Sequence, residues 1–476
     1  MKKKSAEGLK WSFIETIGVR LFSVSTYFIL AKLLDPTAFG IVALTNTFIF
    51  FSEIFVEQGF VTAIVQRKNL EKQHLSSAFW GNLAMGIALF GLSVLGAPWI
   101  ASIYDEGLLT DLLRVHAATF VISSFAKVQL ALLQRDLKLK EIAIARTVAI
   151  TISCVVSITL AYQGYGAWSL IFQQIIFNLL QTLMFWFLND WRPTAEFSPR
   201  HYREIFSFGS KVIMGRITLY FIRYTDTLLI GYFLGTNSLG IYSFAQKIFI
   251  TLTDLVDLTF NKVTFAVFSK LQDERKKLAS NFYKFIDVTA AVSFPLFTAT
   301  IVFTPHIVPI FFGDKWLGSI PIIQILSLAG VAACLYSCFN NLFSGIGRVG
   351  LNLRIKLGYL SVTAVLMYLA VQVSTEMVAF AYLISLLLTI FGMLYYVRQF
   401  IGLNVRSFFL SLVQPFLASI IIAALVYGSS FLVNEVSLLI LALQIIGSLM
   451  LYAAFVALVK PNLIEEFNLQ FKKKLV

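Results

Sequence analysis

Charge is scarce in this chain: Asp, Glu, Lys and Arg together make 13% of 476 residues, against 58% hydrophobic. Soluble globular domains carry about 25% charged residues, so an ordinary water-soluble globule is excluded. Cysteine is nearly absent. Cys154, Cys334 and Cys338 show no Cys-x-x-Cys spacing and no neighbouring histidine, which excludes a disulfide framework or a thiolate metal centre and leaves them as packing residues. The four histidines, His74, His116, His201 and His306, are scattered along the chain and read as structural, with no arrangement for catalysis or for a metal. The "SGIGR" stretch around Gly345 and Gly347 lacks the strand-loop-helix context of a phosphate loop, and no other nucleotide-binding signature occurs. The opening "MKKKSAEGLKWSFIETIG" runs into a full-length apolar span without a small-residue cleavage site, so the first helix is expected to stay.

What the chain has instead is long apolar runs of roughly 20 to 28 residues, the length that crosses a ~30 Å hydrocarbon core as helix. Barrel strands would alternate over about ten residues, and these runs are continuous. The reading is an all-α integral membrane protein with about 14 transmembrane helices, near 11–34, 39–64, 78–100, 109–133, 142–163, 166–188, 206–232, 239–267, 283–312, 320–344, 354–373, 377–397, 407–429 and 437–459. The net charge of +13 does not point to nucleic acid, because the basic residues fall in alternate loops. With the N-terminus inside, the cytoplasmic loops carry clusters such as Arg67, Lys68 and Lys72, or Lys270, Arg275, Lys276 and Lys277. The opposite loops hold a single basic residue, Lys315. That asymmetry predicts an even number of spans with both termini cytoplasmic.

A self-similarity at a spacing of 200 residues organises the spans. "AKLLDPTAFGIVALTNTFIF" from Ala31 matches "IGYFLGTNSLGIYSFAQKIFI" in the second half, pairing Leu34 with Leu234, Gly40 with Gly240 and Ile41 with Ile241. Six spans separate the copies, so the repeat is parallel and predicts two pseudo-symmetric six-helix lobes about a central cleft, with two C-terminal helices appended. The expected division is an N-lobe at 1–190, a cytoplasmic interfacial linker at 191–205, a C-lobe at 206–400, and spans thirteen and fourteen with a cytoplasmic tail at 401–476. "SPRHYREIFSFGSKVIMG" within this division reads as an interfacial elbow.

Ionisable groups at bilayer depth cost roughly 2.5 to 3.5 kcal/mol each, so they mark wet cavities or one another. Here they gather in spans one, two, four, seven and eight. The cationic candidates for holding a ligand are Arg20, Arg216, Arg223 and Lys247; the acidic candidates for coupling to H⁺ or Na⁺ are Glu53, Glu57, Asp226, Asp254 and Asp257. Helical spacing places Arg216, Arg223 and Asp226 on one stripe and Lys247, Asp254, Asp257 and Asn261 on another, and sets Glu53 and Glu57 one turn apart. On this reading Asp226 partly neutralises Arg223 in the absence of ligand. Lys32, Lys127, Lys211 and Lys262 read as snorkelling toward an interface, and Glu15 and Arg146 as solvated or helix-pairing.

"ILAKLLDPTAFGIVALTNTFIFFSEIFVEQGFVTAIVQRK", "YFIRYTDTLLIGYFLGTNSLGIYSFAQKI", "KLQDERKKL", "VSFPLFTATIVFTPHIVPIFFGDKW" and "IPIIQILSLAG" together resemble the polysaccharide-transport branch of the multidrug/oligosaccharidyl-lipid/polysaccharide superfamily, the Wzx-type flippases. The resemblance implies export of an undecaprenyl-pyrophosphate-linked oligosaccharide repeat unit, for O-antigen or exopolysaccharide, across a bacterial inner membrane by alternating access. It implies no enzyme activity and no cofactor, with membrane lipids, a polymerase and a chain-length regulator of the same pathway as partners. By span and role, it carries a basic cavity lining onto Arg20, Arg216, Arg223 and Lys247. Other readings stay open: a flippase for a peptidoglycan or teichoic acid precursor, a small-cation antiporter of the same fold, or a membrane glycosyltransferase or polymerase. Short outer loops with "YDEG" as their only acidic cluster disfavour the enzyme, and buried Arg and Lys disfavour a cationic ligand.

Overall fold

The computed structural model describes residues 2–57, 60–67, 69–430 and 438–459. Every regular element among them is a helix. In chain order these are α1 (Lys2–Leu33), α2 (Pro36–Glu57), α3 (Phe60–Gln66), α4 (Lys72–Tyr104), α5 (Gly107–His116), α6 (Ala118–Arg135), α7 (Leu139–Tyr162), α8 (Ala167–Leu188), α9 (Pro199–Lys270), α10 (Arg275–Phe312), α11 (Ser319–Gly345), α12 (Val349–Val371), α13 (Thr375–Ile401), α14 (Val405–Ser430) and α15 (Leu438–Val459). Twelve helical stretches among the described residues are long and apolar enough to cross a membrane. One of these, in α9, contains a backbone reversal at Gly235 (φ 78°, ψ 175°) and so covers both the seventh and eighth expected spans. The fourteenth expected span corresponds to α15, apolar over Leu443–Tyr452. The fold is therefore the expected all-helical, multi-pass one. The tail after Val459, and the chain between Ser430 and Leu438, lie outside the described residues.

The chain divides into two compact units, residues 1–243 and 244–476. In the first, α7 packs between α1 and α8, α6 between α4 and α8, and α2 against α5. In the second, α10 lies against α11 and α14, and α13 bridges α11 and α12. Contact thus groups the limb of α9 before Gly235 with the first unit, whereas a division drawn by topology starts a lobe at that limb. Proline sits inside α4 (Pro98), α10 (Pro295, Pro305, Pro309) and α14 (Pro415). Membrane helices tolerate this because neighbouring groups satisfy the freed carbonyls.

The repeat glycines meet. A Cβ on Gly40 would lie 1.8 Å from the carbonyl oxygen of Thr236, and one on Gly240 would lie 1.8 Å from that of Pro36. Pro36 and Thr236 are themselves equivalent at the 200-residue spacing. The contact is reciprocal, as a local pseudo-twofold between the two repeat segments requires.

Candidate substrate-binding site

Within the first unit the expected charged residues lie on α1, α2 and the first limb of α9. Arg20 and Arg216 are half-buried. Arg223 is exposed, and its guanidinium carbon lies 5.8 Å from the centre of the Tyr224 ring. No carboxylate among the described residues pairs with it. Asp226, expected to neutralise it, is only 4% exposed and is engaged elsewhere. Its Oδ1 accepts from the Thr227 amide at 2.6 Å and its Oδ2 from the Tyr242 hydroxyl at 3.0 Å. The two residues leave the helix on different sides, so the single stripe divides into an outward cation and an inward, hydrogen-bonded carboxylate.

Lys127 does not reach away to an interface. It is largely buried on α6, with Nζ 3.9 Å from Glu53 Oε1 on α2. Glu15 and Arg146 make the expected helix pair, Nη1 to Oε1 at 2.7 Å, joining α1 to α7. Around Arg223 the first limb of α9 rests on α2 through rings: Tyr220 lies 5.0 Å from Phe51, Tyr224 lies 6.0 Å from Phe50, and the Tyr220 hydroxyl donates to the Thr47 carbonyl at 3.1 Å. The side chains of Glu57, Lys211, Asn261 and Lys262 lie outside the described residues.

In the second unit Lys247, Asp254 and Asp257 are half-buried on the second limb of α9. Val256, between the two carboxylates, is buried against Val288 and Phe297 of α10 and Cys334 of α11. Cys338 lies 3.3 Å from the Thr289 hydroxyl. These cysteines pack, as expected.

Sequence spacing missed three partners. Tyr242 reaches Asp226 because the chain doubles back at Gly235, and Lys127 reaches Glu53 across two helices. The third concerns the histidines, which are not all scattered. His74 and His201 stack edge to face with ring centres 4.3 Å apart. They meet because the elbow docks on the start of α4. The Trp80 indole donates to the Thr194 carbonyl at 2.7 Å, and the Ser198 amide to the Ser77 hydroxyl at 2.9 Å. Tyr202 and Phe206 cover the cluster of Ile64, Leu75 and Phe79. Glu204 completes the dock: the Arg67 guanidinium beside it, then His74, hold its carboxyl down to about 2.

Residues 29–321 match the family described as "Polysaccharide biosynthesis protein". The chain belongs to that family. The teichuronic acid biosynthesis protein TuaB of Bacillus subtilis is 25% identical over 92% of this chain and 91% of its own length. The lipopolysaccharide biosynthesis protein WzxC of Escherichia coli is 24% identical over 88% of this chain and 86% of its own, and the succinoglycan transport protein ExoT of Rhizobium meliloti is 24% identical over 73% and 70%. Among solved structures, the lipid II flippase MurJ in an inward closed conformation superposes with a TM-score of 0.76 at 16% identity, over 95% of this chain and 99% of that one. An inward-facing multidrug transporter of the MATE family gives 0.64 at 16% identity, over 81% and 94%. The family member described here therefore has the fold of these two transporters.

Proposed function

We propose that this family member is a flippase: it moves a polyprenyl-pyrophosphate-linked oligosaccharide from the cytoplasmic to the periplasmic leaflet of a bacterial inner membrane by alternating access, with both termini cytoplasmic. The observation that carries the proposal is Arg223, a guanidinium exposed in the middle of a membrane-crossing run, over the Tyr224 ring and paired with no carboxylate among the described residues. Such a group is costly against acyl chains and stable against water or an anion. A pyrophosphate offers the oxygens that a planar guanidinium binds in pairs, and Arg20 and Arg216 of the same unit supply further positive charge. The polar sugars cross in water while the lipid tail stays in the bilayer. The names of TuaB, WzxC and ExoT support a glycan passenger, and that of TuaB favours a teichuronic acid unit as the second reading.

The chemistry asked of the protein is binding and release, with no bond made or broken. Of the "YDEG" acids, Glu106 accepts a hydrogen bond from the Thr236 hydroxyl. Return of the empty carrier is assigned to H⁺ or Na⁺ binding at a carboxylate, with Asp226 placed first among Glu53, Glu57, Asp254 and Asp257 because it is buried and accepts from the Tyr242 hydroxyl. A polymerase and a chain-length regulator complete the pathway.

The test replaces the chromosomal gene with the Arg223→Glu form and follows surface polymer and the lipid-linked unit by mass spectrometry. The reading requires loss of polymer and accumulation of the unit at normal membrane levels of protein. Undiminished polymer from the same strain rules it out. Collapse of both ion gradients in vesicles stops transport if the coupling assignment holds; unchanged flux removes that assignment alone.

A further inference from the structure

The elbow brings together a donor set that transport does not use. A ring nitrogen of His74, a ring nitrogen of His201 and a carboxylate oxygen of Glu71 lie within 4.8 Å of one another. Glu71 Oε2 is 3.5 Å from His201 Nε2. We propose that Glu71, His74 and His201 form a binding site for a divalent transition metal, of which Zn²⁺ best suits the donors, tying the elbow to the start of α4.

Two imidazoles and a carboxylate are the ligand types that Zn²⁺ takes, with water filling a fourth position. The second observation is what lies behind each ring. His74 Nε2 faces Glu204 Oε2 at 3.4 Å, and His201 Nδ1 faces the Ser198 hydroxyl at 2.7 Å. Metal-bound histidines give their other ring N–H to a carboxylate or hydroxyl oxygen in this way, which fixes the tautomer and raises the basicity of the ligating nitrogen. With those protons placed, the nitrogens left for a metal are His74 Nδ1 and His201 Nε2. His74 Nδ1 currently accepts from the Glu71 amide at 3.2 Å, and a metal takes over that lone pair, releasing one amide at a solvated helix start. The nearby guanidinium of Arg67 is paired with Glu204, so its charge is offset.

The set needs little movement. His74 is 1% exposed and held in place. Tetrahedral ligands at zinc bond lengths stand about 3.3 Å apart. The Glu71 side chain, 65% exposed, closes the difference by swinging inward from its capping contact with the His74 amide. None of the three ligands belongs to the candidate passenger site, so the metal is structural and its presence can be read without any transport assay.

The experiment uses the full chain in detergent, purified on an affinity tag without histidine, stripped with EDTA and dialysed against Zn²⁺ or Co²⁺. Elemental analysis is expected to find about one Zn²⁺ per chain, and Co²⁺ to show the visible bands of a low-coordinate nitrogen and oxygen site. His201→Gln and Glu71→Gln are each expected to weaken retention at least tenfold. Zn²⁺ is expected to slow tryptic cleavage after Arg200, whose side chain is 86% exposed, in the unmodified chain and in neither variant. Retention by His201→Gln equal to that of the unmodified chain overturns the assignment, as does a chain that keeps no metal. If His201→Gln does not fold, Glu71→Gln decides by the same two readouts.

Discussion

The Thr236 hydroxyl donates to the carboxylate of Glu106, joining the turn at Gly235 to the residue that opens α5. A hydrogen bond to a charged group contributes about 1.5–3 kcal/mol where it is shielded from water. Thr236→Val is expected to lower thermal stability in detergent by about 1–2 kcal/mol, and Thr236→Ser to restore most of it. Unchanged stability of Thr236→Val would show that the bond contributes nothing.

Gly40 and Gly240 leave no room for a side chain on either strand of their crossing. Gly40→Ala and Gly240→Ala are each expected to destabilise by about 1–3 kcal/mol or more, the range for overpacking, here against backbone carbonyls. Gly91→Ala, where a Cβ meets nothing within 4 Å, serves as the control and is expected to be neutral or stabilising by about 0.5–1 kcal/mol. Size-exclusion profiles and unfolding temperatures of the three variants check the contrast.

Gly235 has a backbone conformation (φ 78°, ψ 175°) that is almost confined to glycine. Gly235→Ala is expected to cost about 1–3 kcal/mol and to loosen the approach of Tyr242 to Asp226. Hydrogen exchange over residues 226–242 should rise in this variant. No change there would show that packing of the two limbs alone holds the reversal.

Tyr242→Phe removes a donor from a buried carboxylate, with an expected cost of about 1–3 kcal/mol. Asp226→Asn keeps the shape and removes the charge, so the double variant Asp226→Asn/Tyr242→Phe is expected to lose less than the sum of the two single changes. Additive losses in an unfolding cycle would mean that the hydroxyl and the carboxylate are energetically independent.

Lys127 and Glu53 form a pair inside the first unit. Lys127→Met alone leaves the carboxylate with weaker compensation and is expected to cost about 2–3 kcal/mol, whereas Lys127→Met with Glu53→Gln is expected to recover at least half of that. If the double variant is as unstable as the single, the pair contributes through packing of the lysine stem.

Much of the architecture was legible because the bilayer imposes a local rule: about 20 apolar residues per span and basic residues on one side. The helices from α1 to α15 fall close to the runs read from the sequence, including the two limbs of α9. The repeat was legible too, since Gly40 and Gly240 carry the same steric demand at the same spacing. Pairings beyond one helix were not. Spacing put Arg223 and Asp226 on one stripe, yet three residues along a helix is a turn of about 60° in projection, enough to send one outward and the other onto Tyr242. Lys127 looked like a snorkelling lysine because nothing local announces Glu53. His74 and His201, 127 residues apart, share no signal at all.

Composition and the length of the apolar runs by themselves determined that this chain is a helical, multi-pass membrane protein, because hydrocarbon thickness acts on each segment separately. Tertiary structure alone decided which ionisable groups are satisfied and which stand open. Asp226 is quenched by a tyrosine brought round by the reversal at Gly235, Glu53 by a lysine from α6, and Arg223 is left exposed. Those outcomes depend on distances between helices, and a linear chain carries no measure of them.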